Sequence, residues 1–307
     1  MKRCIWVCCL AAVLIMLLPF AAQAEVMGTY SENVMWKYDE QTYTMTISGN
    51  GEIPDYDYFG SDDHRWNVDQ LDRTLQKIII EDGITGIGAY AFAYCYDLSS
   101  VTIPDSVTAI GDHAFVCCSD LTSITIPGSV VSIGDSVFSS CVTLSSVTIQ
   151  DGVTSIGNGV FYECFSLQSI TIPDSVTSIG GGAFFSSGLA SVTIPGSVVS
   201  IGAGAFGDAS CLSTVTIRDG VAGIGEGAFS FCYSLTSVTI PDSVTNIGDE
   251  VFYYCQNLTS VTIPDSVTKI GPDAFAYCDS LESVIVGQGS CAEQYCIANG
   301  LPYRYPD

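Results

Sequence analysis

Aromatic residues are placed in this sequence in a way that favours ligand binding over catalysis. Ten of them lie one, two or four positions after a phenylalanine that recurs along the chain: Tyr94, Tyr96, Tyr162, Phe165, Phe185, Phe231, Tyr233, Tyr253, Tyr254 and Tyr277. Exposed tyrosine rings bind proteins and stack on sugars, because the ring is apolar and the hydroxyl can form a hydrogen bond. We predict that ligand contact centres on Tyr233, Tyr253, Tyr254 and Tyr277. Packing between neighbouring repeats is the alternative explanation of the same pattern.

The sequence lacks the constellations that enzymes and metal sites use. Gly202–Gly207 matches G-x-G-x-x-G, but it lies inside a repeat and lacks the strand–turn–helix unit and later acidic partner of a dinucleotide site. Only His64 and His113 could supply imidazole, and neither a C-x-x-C pair nor a G-x-S-x-G elbow occurs. We therefore predict a protein without enzymatic activity, without a cofactor and without catalytic or metal-binding residues.

An acidic segment near the N-terminus is the candidate for a cation site. Its aspartates are Asp55, Asp57, Asp62, Asp63, Asp69 and Asp72. Oxygen-rich loops of this kind can bind Ca²⁺, but the spacing fits neither an EF-hand nor a glycine-rich calcium repeat. A solvated acidic loop is the simpler prediction, and a calcium site stays an open alternative.

A repeated phenylalanine determines which elements must position these side chains. Successive members are 23 residues apart, with one step of 22. The members are Phe92, Phe115, Phe138, Phe161, Phe184, Phe206, Phe229, Phe252 and Phe275. A fixed period in the twenties is typical of a solenoid, in which stacked repeats bury apolar faces that no repeat could bury alone. We predict an array of about nine such repeats.

Within each repeat, alternating apolar and polar residues predict one short strand. Ile124 and Ile126, for example, flank an outward-facing Thr125, and Pro127 ends the strand because it has no N–H to donate. The rest of the repeat is predicted to be an irregular, partly helical return. Ten such strands, spanning residues 78–286, would stack into one parallel sheet about 45 Å long.

The outward position of the predicted strand is threonine in eight consecutive repeats. These residues are Thr102, Thr125, Thr148, Thr171, Thr193, Thr216, Thr239 and Thr262. The surface that they form is the alternative binding site, centred on Thr216, Thr239 and Thr262. Each threonine offers only a methyl and a small hydroxyl, so binding there would need many repeats acting together.

Cysteine occurs three residues after seven of the repeat phenylalanines. These cysteines are Cys95, Cys118, Cys141, Cys164, Cys232, Cys255 and Cys278. Ser187 and Ala209 take the same position in the other two repeats, which indicates a small buried site. We predict a column of unreactive thiols. The eleven cysteines after residue 24 are an odd number, which a fully paired set of disulfides within one chain cannot accommodate.

The first 24 residues are predicted to be a signal peptide. Lys2 and Arg3 precede a short apolar core, and Ala22-Gln23-Ala24 is typical of a cleavage site. The mature chain would carry 33 acidic and seven basic residues, a net charge of −26. Such a surface repels phosphate groups and argues against nucleic acid and anionic membranes as partners. We predict a secreted, extracellular protein, free or associated with the cell surface, with no membrane insertion after signal cleavage.

Segments outside the period are predicted to cap the array. Alternating runs over residues 34–38 and 43–47 predict a hairpin near the N-terminus. Ser290 as N-cap, a helix over 291–299 and Gly300 as its stop predict a helical cap at the other end. The predicted divisions are the signal peptide (1–24), an N-terminal β-rich capping module (25–74), the repeat array (75–286) and a C-terminal helical cap (287–307).

A consensus motif runs through the array and carries a family resemblance. The motif is L-x-x-[VI]-x-I-P-[DG]-S-V-[TV]-x-I-G-x-x-[AV]-F-x-x-C, over residues 75–286. It resembles the BspA-like, or Treponema-type, leucine-rich repeat. The segment from Trp36 to Tyr56 is also similar to a module that often precedes such arrays in secreted bacterial proteins. The resemblance implies a leucine-rich-repeat solenoid with a parallel sheet and an extracellular binding role, often adhesion to host matrix proteins or other cells.

Together these features favour a secreted, non-enzymatic binding or adhesion protein that engages extracellular proteins or glycans through a repeat surface. The expected partners are host or microbial extracellular proteins, with glycans as a further class. The alternative is a structural matrix protein whose repeat surface self-associates. The sequence leaves the oligomeric state open, and sedimentation at several concentrations distinguishes the two functions.

Overall fold

The computed structural model describes residues 26–56 and 74–306, and these form a solenoid of stacked turns, here called rungs. The predicted solenoid is therefore confirmed. Two parallel sheets and a third, hydrogen-bonded side enclose one continuous apolar core. The predicted signal peptide, His64 and the aspartates from Asp57 to Asp72 lie outside the described residues.

The N-terminal module begins the solenoid with antiparallel strands. β1 (Val26–Thr29) pairs with β2 (Val34–Asp39), and β2 pairs with β3 (Thr44–Gly49) as the hairpin that the sequence predicts. Alternate residues of β2, beginning with Val34, are buried. β3 then pairs in parallel with the first strand of the repeats, so the hairpin covers one end of the sheet.

The strands predicted from alternation form a parallel sheet on one side of the solenoid, here called the first sheet. Its strands are β5 (Lys77–Ile80), β7 (Ser100–Thr102), β9 (Ser123–Ile126), β11 (Ser146–Ile149), β14 (Ser191–Ile194), β16 (Thr214–Ile217), β18 (Ser237–Thr239), β20 (Ser260–Ile263) and β22 (Ser283–Val286). In β14, Val192 and Ile194 are buried, whereas Ser191 and Thr193 are exposed. The predicted inward and outward positions are therefore correct.

The first sheet is interrupted, which corrects the prediction of ten continuously paired strands. Within the described residues, Ser169–Ile172 forms no strand and no backbone hydrogen bond with either neighbouring rung. β16 and β18 likewise do not pair with each other, so the sheet divides into three parts along its length. The gap at Ser169–Ile172 adjoins the repeat that is one residue shorter than the others.

A second parallel sheet replaces the partly helical return that the sequence predicts. Most of its strands have only two residues, and the second of these, such as Ile133 or Ile156, points into the core. The strands are β4 (Gly51–Ile53), β6 (Ile84–Ile87), β8 (Ala109–Ile110), β10 (Ser132–Ile133), β12 (Ser155–Ile156), β13 (Ser178–Ile179), β15 (Ser200–Ile201), β17 (Gly223–Ile224), β19 (Asn246–Ile247) and β21 (Lys269–Ile270). Alternation over two residues carries no period, so the sequence pattern could not reveal this sheet.

The third side carries the repeat phenylalanines and has an unusual backbone. The N–H groups of Ser136, Phe138 and Ser140 donate to carbonyls of the next rung at 2.7–2.9 Å, and other rungs repeat this pattern. Residues two before and two after each phenylalanine are left-handed, with φ between +53° and +62°. This conformation favours glycine because a Cβ crowds the following carbonyl oxygen. Nevertheless, fourteen of these eighteen residues carry a side chain.

The nine repeat phenylalanines form one stacked column through the core. Adjacent ring centroids are 5.1–5.7 Å apart, and adjacent ring planes differ by 6–18°. Every ring from Phe92 to Phe252 is fully buried. Each phenylalanine between the two ends of the column is therefore packed by its own rung and by both neighbouring rings.

The predicted column of thiols runs beside the phenylalanines, and its seven cysteines are thiols. From Cys118 onwards, each thiol of the column donates to the carbonyl of the phenylalanine one rung earlier, with Sγ···O distances of 3.1–3.3 Å. Burial raises the pKa of Cys164 and of Cys278 to about 12. Because the thiolate is the reactive form, these cysteines are poor nucleophiles near neutral pH.

We predict that Cys141→Ala lowers the free energy of unfolding by about 1 kcal/mol or less. Ala209 already fills the same position in another rung, and the Phe115 carbonyl keeps its bond from the Cys118 N–H. Chemical denaturation measures the change. Mass spectrometry of the native protein, alkylated after unfolding, should show that the thiols of the column are unoxidised. Disulfides between neighbouring cysteines of the column would contradict the prediction.

Ser187 is a defect in the thiol column. Its hydroxyl is buried and has no hydrogen-bond partner, unlike the Cys164 thiol one rung earlier. We predict that Ser187→Cys raises the free energy of unfolding by about 1 kcal/mol, because the larger sulfur can reach the carbonyl of Phe161. Ser187→Ala should give a smaller gain, since it removes the unsatisfied hydroxyl without adding a contact. A loss of stability in both variants, measured by denaturant titration, would show that the hydroxyl is satisfied in solution.

A helix closes the C-terminal end as the sequence predicts. α1 (Cys291–Asn299) begins at Ser290, whose Oγ accepts the Glu293 N–H at 3.1 Å, and ends at the left-handed Gly300. The Tyr295 ring contacts Phe275 edge-on, and its hydroxyl accepts the Ala274 N–H at 3.0 Å. β23 (Tyr303–Arg304) then pairs with β22. No helix in the described ranges has the length and apolar character needed to cross a bilayer.

Candidate ligand-binding site

The solenoid period brings the four predicted tyrosines together near the C-terminal end of the third side. Tyr253 follows its phenylalanine directly, Tyr254 and Tyr277 occupy the second position after theirs, and Tyr233 the fourth. One further ring joins them. We call this group the aromatic cluster, which consists of Phe231, Tyr233, Tyr253, Tyr254 and Tyr277.

A three-ring stack forms the centre of the aromatic cluster. Phe231 stacks on Tyr254 at 5.5 Å, and Tyr254 stacks on Tyr277 at 4.4 Å, with plane angles of 15° and 18°. The Tyr253 ring is nearly perpendicular to all three, with centroid distances of 4.8–5.6 Å. Tyr233 tilts against Phe231 at 6.3 Å. Tyr277 is 54% exposed, so one end of the stack is open to solvent.

The stack is built on strained backbone. Phe231, Tyr254 and Tyr277 all have φ of +59° or +60°. A left-handed residue with a Cβ costs about 1–2 kcal/mol, and an aromatic pair recovers about 0.5–1.5 kcal/mol. Glycine would avoid the cost, yet none of the nine residues two positions after a repeat phenylalanine is glycine. Stacking between the rings therefore offsets part of the free-energy cost of the left-handed backbone at these positions.

Two carboxylates lie beside the aromatic cluster. Glu250 and Asp273 are exposed, and each is left-handed two residues before the phenylalanine of its rung. Partial burial raises the pKa of the Tyr253 hydroxyl, and electrostatic repulsion from the Tyr277 and Tyr254 hydroxyls and from the Glu250 and Asp273 carboxylates raises it further. Neither carboxylate forms an ion pair with any described residue. The aromatic cluster is therefore flanked by two negative charges.

The alternative site, the threonine face, is the outward surface of the first sheet. Seven of its eight threonines are exposed, and Thr262 is half-buried. Shallow grooves of about 690, 440 and 400 Å³ lie along it. Thr239 and Thr262 line the largest groove, and Thr216 lines the other two. Two of the grooves coincide with the interruptions of the sheet, where strands separate.

The other aromatic residues predicted from the pattern do not join the cluster. Tyr162 stacks on Phe185 at 5.2 Å, and Tyr94 tilts against Tyr96 at 6.2 Å. Phe165 is 57% exposed. The aromatic residues therefore form separate groups along the third side, and the C-terminal group is the largest of those described.

The remaining candidates from the sequence have structural roles. Gly204 is the left-handed residue two positions before Phe206, so the G-x-G-x-x-G match belongs to the repeat backbone. The His113 ring stacks on Tyr90 at 4.6 Å. Asp55 accepts the Ala89 N–H at 2.7 Å, whereas the other aspartates of its segment lie outside the described residues. Within the described ranges, no group of three or more His, Cys, Asp or Glu could hold a metal ion.

Sequence reasoning missed Glu250 and Asp273 because their positions vary between repeats and resemble solvated surface. A signal was present. Four consecutive repeats have glycine at this position, two residues before the phenylalanine: Gly159, Gly182, Gly204 and Gly227. Glycine in this pattern indicates a left-handed backbone, which would have placed the neighbouring side chains on the third side.

The family of the chain follows from its repeats. The model described as "BspA type Leucine rich repeat region" matches residues 71–190 and 177–299, in six copies. The chain belongs to this family. No curated protein matches the chain. The family assignment agrees with the motif and confirms the resemblance that it carries.

Several solved structures of bacterial proteins are similar to the chain. A leucine-rich cell surface protein from Faecalibacterium prausnitzii is 28% identical, with 90% of this chain and 98% of that one covered and a TM-score of 0.41. A leucine-rich repeat protein from Eubacterium ventriosum is 21% identical, with 85% of this chain and 90% of that one covered and a TM-score of 0.40. The pneumococcal vaccine antigen PcpA is 16% identical, with 85% of this chain and 87% of that one covered and a TM-score of 0.37. These TM-scores are too low to support transfer of function.

Proposed function

We propose that the protein is a secreted, non-enzymatic binding protein of the adhesion type, which engages extracellular proteins through the aromatic cluster. The carrying observation is that the four tyrosines singled out by the repeat pattern converge on one partly exposed surface with Phe231. Tyrosine is enriched among the interface residues whose truncation to alanine costs the most binding energy. The signal-peptide pattern of residues 1–24 and the family expectation support an extracellular site of action.

A second binding surface is supported by the grooves on the threonine face. Leucine-rich and other solenoids commonly bind on an extended repeat surface. The grooves at Thr216, Thr239 and Thr262 give this face more relief than a flat sheet has. Its side chains are nevertheless small, so each contact there contributes little energy.

The proposal is tested by binding the full chain to a panel of purified extracellular matrix proteins and glycans. Tyr233, Tyr253 and Tyr254 changed together to Ser should weaken binding about 30-fold or more, since truncation of even one hot-spot tyrosine typically costs about 2 kcal/mol. Thr216, Thr239 and Thr262 changed together to Lys serve as the comparison and should retain binding. Both variants are compared at matched thermal stability.

Three outcomes would contradict the proposal in different ways. Loss of binding only in the lysine variant would move the site to the threonine face. Absence of binding to every protein and glycan in the panel would contradict the adhesion function. Growing assemblies in concentration-dependent sedimentation, with no capture of a partner, would instead support a self-associating matrix protein.

A further inference from the structure

The charge of the repeat array restricts what the aromatic cluster can bind. Residues 75–286 contain twenty acidic residues and three basic ones, Lys77, Arg218 and Lys269. Arg218 forms an ion pair with Asp174 at 3.1 Å. The cluster thus lies on a surface whose unpaired charges are almost all negative, and a partner segment with positive charge is favoured there.

The geometry of the cluster suits a cation. In the described residues no ring stacks on the outer side of Tyr277, and Tyr277 is 54% exposed, so the end of the stack can be reached from solvent. The face of an aromatic ring is its negative region and attracts Lys and Arg side chains. Tyr253 and Tyr277 are 5.3 Å apart at 88°, so their rings form two walls of a corner. A lysine stem can pack on one wall while its ammonium group meets the other.

Two carboxylates lie near this corner. Glu250 and Asp273 belong to the same two rungs as Tyr253 and Tyr277, and both act electrostatically on the Tyr253 hydroxyl. Neither has a hydrogen bond or ion pair from its side chain to a described residue. A neutral sugar stacked on the rings would leave both charges unpaired, whereas a lysine or arginine would pair with them.

We propose that the aromatic cluster binds a lysine- or arginine-rich segment of the partner protein, with one cationic side chain in the corner of Tyr253 and Tyr277 and paired with Glu250 and Asp273. This inference rests on the proposed binding function and names the chemistry of its partner. Binding should weaken as salt increases, because the contributing charges are exposed to solvent.

The experiment uses fluorescence anisotropy of the full chain with three labelled probes. These are a twelve-residue peptide alternating Lys and Gly, the same peptide with Glu in place of Lys, and cellohexaose. We expect the lysine peptide alone to bind. Tyr254→Ser with Tyr277→Ser should weaken it about tenfold, and Glu250→Gln with Asp273→Asn by a similar factor. Tyr277→Phe keeps the ring face and should keep most of the affinity.

The matched control is Asp105→Asn with Asp151→Asn, which removes the same charge from exposed turns on other rungs. Its affinity for the lysine peptide should change by less than about twofold. An equal loss in this control would show diffuse attraction and overturn the proposal. So would unchanged binding by the tyrosine variant, or binding of cellohexaose in place of the peptide.

Failure of this inference can be separated from failure of the proposed function. If the chain captures a matrix protein and the lysine peptide does not compete, the inference is wrong and the binding function stands. If no panel member is captured, the binding function itself is contradicted. Circular dichroism and thermal melts verify that each variant is folded.

Discussion

Phe161→Ala is expected to lower the free energy of unfolding by about 3–5 kcal/mol. Phe161 is fully buried at the middle of the phenylalanine column, 5.7 Å from Phe138 and 5.4 Å from Phe184. Removing the ring leaves a cavity that the neighbouring rungs cannot close without breaking their own hydrogen bonds. Denaturant titration with circular dichroism measures the loss.

The same variant should also change how the molecule unfolds. Each rung of a solenoid contacts only its neighbours, so a weak central rung divides the stack into two partly independent parts. Hydrogen exchange should therefore accelerate most on both sides of Phe161. Phe165→Ala is the matched control, because its ring is 57% exposed, and it should cost less than about 0.5 kcal/mol. An unchanged melting curve for Phe161→Ala would show that the column is not the core.

Much of the fold could be predicted because each repeat places the same types of buried residues at the same spacing. The period located the phenylalanine column, alternation gave the inward residues of the first sheet, and Ser290 and Gly300 marked the ends of α1. Each of these signals depends only on the types of residues and their spacing in the chain. The interruption at Ser169–Ile172 could not be predicted, because its residues follow the same pattern as those of the paired strands.

The second sheet and the third side depend on contacts between rungs, which residue types in one repeat do not show. Side chains such as Tyr254 and Glu250 occupy left-handed positions in which glycine is expected. Sequence spacing could place the tyrosines on one side of the solenoid. It could not show that Tyr253 lies perpendicular to the stack, or that Glu250 and Asp273 accompany it, since both follow from the backbone conformation.

Gly180→Ala is expected to cost about 3 kcal/mol or more, although it adds only one methyl group. Gly180 belongs to the I-G pair of the repeat and does not have a positive φ. Its importance comes from close approach. A Cβ there would lie 2.6 Å from the carbonyl carbon of Gly157 and 2.6 Å from the backbone nitrogen of Asn158. Backbone atoms cannot turn aside as a flexible side chain can, so the two rungs must separate.

Gly223→Ala provides the control for this effect. Gly223 also lies on the second sheet side and does not have a positive φ, but the nearest atom to its added Cβ is the Asn246 oxygen at 4.0 Å. Because alanine restricts the unfolded chain more than glycine does, Gly223→Ala should be neutral or stabilising by up to about 1 kcal/mol. Thermal melts of the two variants at equal concentration measure the contrast. Equal stability of the two variants would mean that an added Cβ at Gly180 has more room than the 2.6 Å distances imply. Gly180 would then be required for another reason.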